Sequence, residues 1–317
     1  MAATKRTSRA RTTGKATATT RAATSPGPTA RTQTRSTVAP TPHAGDGVAA
    51  TVTARKAGGA ARILNCLPSP HQAEDWDIAS AEAAGMLAAR ARLPASVDLR
   101  ADWWKIGDQG STGSCVGWAT ADSVLRWHHV STGRIAERDK LSVRFVWMAA
   151  KETDEFSQRP TTFIEPEGTS LKAALDVARK YGAVRDTDLP FARPKLFAGD
   201  AKAFYLLASQ LKIAAYVNLG RDTAAWRRWL ATQGPILTRL DCDDTWMNAK
   251  ATKGTLETYD AASASGGHAV ALVGYTADHF IVRNSWGATS WGDKGFAYAS
   301  YPYATDAFTE AYGVSVV

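Results

Sequence analysis

Apolar side chains recur at helical spacing in three stretches of this chain, and short β-like runs follow them. In "GTSLKAALDVARKYG", Leu171, Ala174, Leu175, Ala178 and Tyr181 stand at i, i+3, i+4, i+7 and i+10. That is one face of a helix, with Thr169 or Ser170 as its N-cap and Gly182 as its stop. "DTAAWRRWLATQGP" puts Trp226, Trp229 and Leu230 on one face and ends at Gly234-Pro235. "SCVGWATADSVLRWHHV" predicts a helix from Cys115 to about Val130, with Ser114 as cap, a stripe of Trp118, Ala121, Leu125 and His128, and Ser131 and Gly133 as the stop. Beyond Pro235 the period shortens. "PILTRLDC", "HAVALVGYT", "HFIVRNSW" and "GFAYAS" read as strands separated by Gly, Asp and Ser. Helices first and strands later predict an α+β fold with two lobes. Ahead of these, "ASAEAAGMLAARAR" has helical composition weakened at Gly85, and "LPASVDLRADWW" predicts a strand.

Residues 1–62 follow neither pattern. They are Ala, Thr, Arg, Ser and Pro with almost no aromatic or large aliphatic side chain. Such a segment buries too little surface to offset its ordering entropy, so it is expected to be disordered. It also holds the charge. The whole chain is +8, but residues 1–62 carry eleven Lys and Arg against Asp46 alone, and residues 63–317 hold 27 bases against 29 acids, a net −2. A nucleic-acid-binding folded domain is therefore disfavoured. An Arg-rich, acid-poor start resembles organelle transit peptides and the N-termini of some translocated bacterial effectors, and suits a solubilising tail equally well. No run of 18 apolar residues exists, so no membrane span is expected. No apolar stretch follows the first bases, so a cleaved secretory signal is not expected either. Three well-separated cysteines, Cys66, Cys115 and Cys242, are no disulfide framework. The expected setting is cytoplasmic, or translocated without a cleaved signal. Order is expected to begin near Ile63, with residues 63–92 forming a bracing arm or a short pro-segment over the main domain.

Cys115 alone is open to four readings: nucleophile, metal ligand, half of a disulfide, or small buried side chain. Its context favours the first. It opens a predicted helix, where the dipole and free N–H groups stabilise a thiolate. The preceding "QGSTGS", with Gly113, can bring backbone N–H groups close to a substrate oxyanion, and Gln109 offers an amide donor for the same charge. A thiolate works best beside an imidazole. Of the six histidines, His43 and His71 precede the main domain, His128 and His129 lie about 20 Å along the helix from Cys115, and His279 sits in a turn. His268, after two glycines and opening an apolar strand, remains, with its ring expected to be exposed at the strand mouth. Asn284 can accept the imidazole N–H and fix its tautomer, and Trp286 can shield that bond from water. No cluster of Cys and His has the spacing of a zinc site, and no cofactor is expected.

Together "QGSTGSCVGWA", "GGHAVALVGY" and "NSWGATSWGDKGFAYAS" resemble the three signature blocks of papain-like cysteine peptidases, in that family's order of Cys, His and Asn. "LPASVDLR", "LSVRFVWMAAK" and "EGTSLKAALDVARKYGAVRDTDLPF" resemble further family segments, so the resemblance spans about residues 93–317. It implies a two-lobed papain-like fold: a helical lobe, a β-barrel-like lobe, and an active-site cleft between them. It implies Cys115 as nucleophile, His268 as base and acid, Asn284 as the residue that orients His268, and Gln109 with the Cys115 backbone N–H as oxyanion hole. Trp286 would shield the Asn–His bond with Trp291 close by, and Gly168 would pair with the backbone of an extended peptide substrate. The implied reaction is endopeptidase hydrolysis through a thioester. An acyltransferase or deamidase on the same fold and a catalytically silent binding module are the alternatives.

Four positions depart from the family pattern. Thr112 stands where relatives often place a disulfide cysteine, Val116 replaces an aromatic after the nucleophile, Gly267 replaces an Asp before the histidine, and only one of two cleft glycines, Gly168, is evident. None removes a catalytic group. The first suggests a bacterial-type branch without the usual disulfides. Elsewhere, Cys242 is expected to be buried and inert, Asp243-Asp244 to form a solvated turn, and Trp103 and Trp104 to serve lobe packing and not ligand binding.

Overall fold

A computed structural model describes residues 53–57, 59–88, 92–154, 160–193 and 195–316. Most of the segment read as disordered, residues 1–52, lies outside the described residues. Residues 53–57 and 59–62 do not fit that reading. Strands β1 (Thr53–Ala57) and β2 (Ala60–Leu64) form an antiparallel hairpin. Composition was a poor guide here because the bases have partners. Buried Arg62 donates to Asp108 Oδ1 at 2.5 Å and to the Trp286 carbonyl at 3.0 Å, and its guanidinium lies 5.6 Å over the Trp286 ring. Arg55 pairs with Asp244. Helix α1 (Ile78–Ala83) is capped by Asp77, whose carboxylate accepts from the Ser80 N–H at 2.8 Å. It ends just before Gly85, at φ +73°, and is shorter than its composition suggested. Strand β3 (Val97–Asp98) follows.

Residues 115–131 form one continuous helical stretch, α2. An α-turn at Cys115–Gly117 leads into a wide i→i+5 segment, Trp118–Leu125, and then Arg126–Ser131. Helix α3 (Val143–Thr153) starts at Ser142, whose hydroxyl accepts from the Phe145 N–H at 3.0 Å. Helix α4 (Leu171–Lys180) starts at Ser170 in the same way. The stripe of Leu171, Ala174, Leu175 and Ala178 is fully buried, which contributes about 1.5–3 kcal/mol for each leucine. Helix α5 (Ala201–Ser209) was not anticipated. Its Tyr205 and Leu206 are exposed, so no clean apolar stripe marks it. Helix α6 (Thr223–Thr232) is capped by Asp222 and buries Trp226 and Trp229.

The remaining elements are β4 (Ile213–Asn218), β5 (Ile236–Asp241), α7 (Asp244–Met247), β6 (Thr255–Leu256), β7 (Gly267–Tyr275), β8 (His279–Arg283), β9 (Phe296–Ser300), α8 (Tyr301–Ala307) and β10 (Phe308–Val316). The strand order is β4-β10-β5-β7-β8-β9-β6, with β3 on β7. All pairs are antiparallel except β6 with β9. The end strands β4 and β6 do not pair with each other, so the sheet is open where a barrel-like lobe was expected. Its pleat sorts side chains to two cores. Ala269, Ala271 and Val273 of β7 face one core with Val116, Val124, Leu125, Leu171 and Leu175 from the helices. Val270 and Leu272 face the other, with Trp226, Trp229, Trp246, Trp286 and Trp291. Burial on both faces is why β7 reads as a continuous apolar run.

A buried ion cluster fastens the helical half to the sheet. Asp122 of α2 pairs with Arg126 at 3.3 Å and with Arg283 of β8 at 2.8 Å. Arg283 also donates to Ser123 Oγ at 2.5 Å and to the Lys105 carbonyl at 2.8 Å. Trp103 and Trp104 stack at 5.7 Å between centroids, with Arg126 over the first ring and Arg283 over the second. They pack here as the sequence implied.

Candidate active site

Cys115 is the first residue of α2, His268 the second of β7, and Asn284 follows the last residue of β8. Strands β7 and β8 pair, with Ala271 opposite Arg283, so His268 and Asn284 meet at one end of the ladder. His268 Nε2 lies 2.8 Å from Asn284 Oδ1. That oxygen only accepts, so Nε2 carries a proton and Nδ1 is the nitrogen left for another partner. The Ser285 N–H donates to the same Oδ1 at 2.7 Å and locks the amide. The Cys115 thiol is held well below its ordinary pKa, first by the Cys66 thiol and then by His268, against the opposing effect of burial. Burial, and after it the influence of Cys115, push the Cys66 thiol well up. Ser114 holds the N-cap position but does not cap. Its hydroxyl is 2.6 Å from Thr112 Oγ1.

Aromatic rings close over the His–Asn pair. The Trp286 ring lies 4.7 Å from His268 and Trp246 lies 5.7 Å from it, while Trp291 packs 4.4 Å from Trp246. All three tryptophans are fully buried, so water cannot compete for the bond. Trp246 was missed because it follows Asp243-Asp244, which read as a solvated turn. Asp243 is instead fully buried. It accepts from the Trp246 N–H at 2.9 Å, the Asp260 N–H at 2.9 Å and the Tyr303 hydroxyl at 2.7 Å. A charged pair in sequence gave no sign that one member caps a four-residue helix inside the core.

Gln109 is held from both ends. Its Oε1 accepts from Ser285 Oγ at 2.9 Å and Trp286 Nε1 at 3.2 Å, and its Nε2 donates to the Thr112 carbonyl at 2.9 Å. The amide nitrogen therefore faces the loop before Cys115. Ser285 was not singled out in sequence, although it lies between Asn284 and Trp286. Gly113 donates to the Glu165 carbonyl at 2.8 Å, and a Cβ there would come within 2.4 Å of the Pro166 carbonyl. At Gly168 a Cβ would come within 1.6 Å of the Asn65 carbonyl. Both glycines permit close backbone approach, the first to a loop and the second to the arm.

The arm lies across these groups. The Cys66 N–H donates to the Gly267 carbonyl at 2.9 Å and the Leu67 N–H to the Thr169 carbonyl at 3.1 Å. Asn65 Nδ2 donates to the Pro166 carbonyl at 3.2 Å. Arg239 Nε donates to the Cys66 carbonyl at 3.0 Å, and the Ser69 N–H donates to Glu310 Oε1 at 2.9 Å. Cys115 and His268 have no exposed surface. An exposed ring at the strand mouth was expected; it is buried against Trp246 and Trp286, with the arm paired to the preceding residue, Gly267. Among the other histidines, His128 and His129 are buried in α2, and His279 contacts Glu257 at 2.9 Å. Cys242 is buried, with its thiol pushed up by burial. Among the described residues no cluster of three or more His, Cys, Asp or Glu could hold a metal ion, and no helix is long and apolar enough to cross a membrane.

A thiol kept acidic beside an imidazole, with an amide on the far ring nitrogen, is an arrangement able to attack acyl carbons. Comparisons with known proteins agree in kind. The papain family of cysteine proteases matches residues 93–308. Cathepsin B-like CP3 of Giardia intestinalis is 27% identical over 230 residues, 65% of this chain and 68% of that one. Among solved structures, xylellain, a cysteine protease from Xylella fastidiosa, superposes with a TM-score of 0.64 at 21% identity, covering 84% of this chain and 98% of that one. Procathepsin L2 of the Tenebrio molitor larval midgut gives 0.58 at 21% identity over 80% and 77%. The family match covers most of the chain, and the solved structures share its fold: this protein belongs to the papain family and is a cysteine peptidase.

Proposed function

We propose that the protein is an endopeptidase that cleaves extended peptides through a thioester on Cys115. The observation that carries this reading is the 2.8 Å bond between His268 Nε2 and Asn284, which leaves the buried Nδ1 of the same ring without another partner, beside a Cys115 thiol that His268 helps to hold acidic. The thiolate attacks the scissile carbonyl carbon. The oxyanion is met by the Cys115 N–H and the Gln109 amide, each such donor contributing about 2.7–4 kcal/mol to the barrier reduction. His268 Nδ1–H protonates the leaving amine, and the thioester forms as the C–N bond breaks. His268 then takes a proton from water, which attacks the thioester and frees Cys115. Asn284 holds Nε2 throughout, so the ring keeps its tautomer.

In this reading residues 63–92 are a pro-segment or cover, and a peptide enters only after residues 64–69 leave. Their grip on Gly168, Thr169 and Gly267 supports this, because those backbone groups are the ones an extended substrate would use. The test is to incubate the protein with an electrophilic epoxide that labels papain-like thiols, with and without prior limited proteolysis of the arm, and to map the adduct. Labelling at Cys115 that rises after arm cleavage is expected, together with hydrolysis of unstructured protein. A correctly folded, arm-cleaved protein with no adduct on Cys115 overturns the reading. Cys115→Ala should abolish turnover and leave the fold intact.

A further inference from the structure

A cavity of about 710 Å³ opens between residues 100–106 and residues 288–296. That lies within the roughly 300–1,000 Å³ of ligand pockets. Trp104, Ile106 and Phe296 form its apolar wall, and Arg100, Lys105 and Lys294 bring three positive charges against one acid, Asp102. Residues 63–317 as a whole are net −2, so this lining runs against the average. The Arg100 fork is already taken. It donates to Asp98 at 2.9 and 2.6 Å and to the Tyr298 hydroxyl at 3.2 Å, and its flat face covers the Phe296 ring at 5.3 Å. The nearby Asp293 accepts from the Tyr298 hydroxyl at 2.9 Å. Lys105 and Lys294 are exposed and have no ion-pair partner among the described residues. Lys294 stands at φ +53°, a conformation few residues other than glycine adopt, and reciprocal backbone bonds between Asp293 and Phe296, at 2.8 and 3.0 Å, hold its turn. The floor is catalytic scaffold. A Cβ on Gly295 would come within 2.6 Å of Ile106, so the two walls touch there. The Gly295 carbonyl accepts the Asn284 N–H at 3.1 Å, and the Gly107 carbonyl accepts the Gly287 N–H at 2.9 Å.

We propose that this cavity is an exosite for an acidic segment of the protein being cut, with carboxylates on Lys105 and Lys294 and one apolar side chain against Ile106 and Phe296. That the segment belongs to a substrate rests on the endopeptidase reading above; the binding site itself does not. Two features select the ligand. The free cations are lysines, point charges that take a carboxylate from many directions, while the one guanidinium fork is occupied. The apolar wall rewards a hydrophobic side chain, which a sulfated polysaccharide lacks, so the lining fits a peptide better than a bare polyanion. Position supplies the link to the chemistry. Ala288, on the rim, is two residues past Trp286, at most about 7 Å of chain. A protein held here by an acidic segment keeps its neighbouring residues near the cleft at a raised effective concentration.

The experiment uses the full chain. Its probe is a short, end-labelled peptide of Glu and Asp with one central Phe, and binding is read by fluorescence anisotropy. The same peptide with Gln and Asn in place of the acids, and one with Ser in place of Phe, are the controls. Both controls should bind at least about tenfold more weakly, as should the acidic peptide to the double variant Lys105→Gln, Lys294→Gln. Both lysines are exposed, so the variant is expected to fold. Binding that survives in the double variant would place the peptide elsewhere, for example on the basic N-terminal segment, and overturns the proposal. Equal binding of the Ser control overturns it too, since the site would then read charge alone. In a second arm, after limited proteolysis of residues 63–92, an unstructured protein carrying the acidic segment is compared with its Gln and Asn counterpart. The acidic form should show the lower KM in wild type, and the difference should close in the double variant; equal KM values in wild type would remove the substrate assignment. Lysine-dependent binding in a protein that cleaves nothing would uphold the site and remove the peptidase reading, and cleavage without such binding would do the reverse.

Discussion

Replacing Asp122 by alanine removes the one carboxylate from a cluster that also holds two guanidinium groups. Arg283 lies 2.8 Å from it and Arg126 lies 3.3 Å from it, and none of the three side chains is more than 5% exposed. In Asp122→Ala both cations stay buried, with only carbonyl and hydroxyl partners. Deleting one member of a buried pair costs about 3–5 kcal/mol, chiefly because the remaining charge is left without compensation. A domain of this size is stable by about 5–15 kcal/mol, so the loss is a large share of the total. It corresponds to a fall in melting temperature of about 6–20 °C. The assay is urea unfolding followed by tryptophan fluorescence, read as the shift in midpoint at constant slope. A double variant separates charge from packing. Asp122→Leu with Arg283→Met removes one charge of each sign and should recover more than half of the loss, since a buried pair replaced by apolar groups is often neutral. A loss below about 1 kcal/mol in the single variant, or a double variant no better than the single one, would refute the reasoning. The cluster ties the helix that starts at Cys115 to the strand that leads into Asn284, so activity should fall with stability in the single variant.

Three further outcomes are expected. Asn284→Ala should slow turnover about ten- to a hundredfold without abolishing it, since a hydrogen bond to a charged group contributes about 1.5–3 kcal/mol; an unchanged rate would show that the ring is oriented by other means. Gly168→Ala places a Cβ against the Asn65 carbonyl, so the arm should shift and alkylation of Cys115 by a small reagent should speed up; equal rates would place the barrier to access elsewhere. Burial lowers His128 and His129 to about 4, whereas the unfolded chain takes up these protons near the ordinary 6.5. The unfolded state thus binds more protons between those values, and stability should be complete above pH 6.5 and fall as pH drops towards 4, by at most about 3 kcal/mol for each histidine. His128→Phe should flatten that slope, and an identical slope in the variant would rule out His128 as its source.

The site was legible where its chemistry is local. Cys115 after a glycine-rich loop, His268 opening an apolar strand and Asn284 beside Trp286 each carry a short context, and their shared resemblance to one family joined them. What covers them was not legible. Arg239 and Glu310 carried no signal in the sequence, yet they are only 8% and 3% exposed and hold an arm some 170 and 240 residues away in sequence. Asp243 failed for the same reason, as its partners Asp260 and Tyr303 are distant in sequence. The β1–β2 hairpin was hidden by averaging over a tail that is otherwise Ala, Thr and Arg. In each case the deciding interaction is long-range, and local pattern has no access to it.

If the arm is the cover proposed above, it is also a competitor on a tether. A covalently attached ligand sees its own site at an effective concentration on the order of millimolar. Every external peptide would then have to outcompete it, and its apparent affinity would be reduced by the small fraction of molecules in which the arm is away. One cut between Ser69 and Val97 would change the order of the reaction. The freed segment would then rebind as a separate molecule, at a rate set by its bulk concentration, and dilution alone would keep the site open. The intact chain would keep low activity at any dilution, whereas the cut chain would gain activity as it is diluted. A single backbone hydrolysis would thus turn a concentration-independent restraint into a concentration-dependent one.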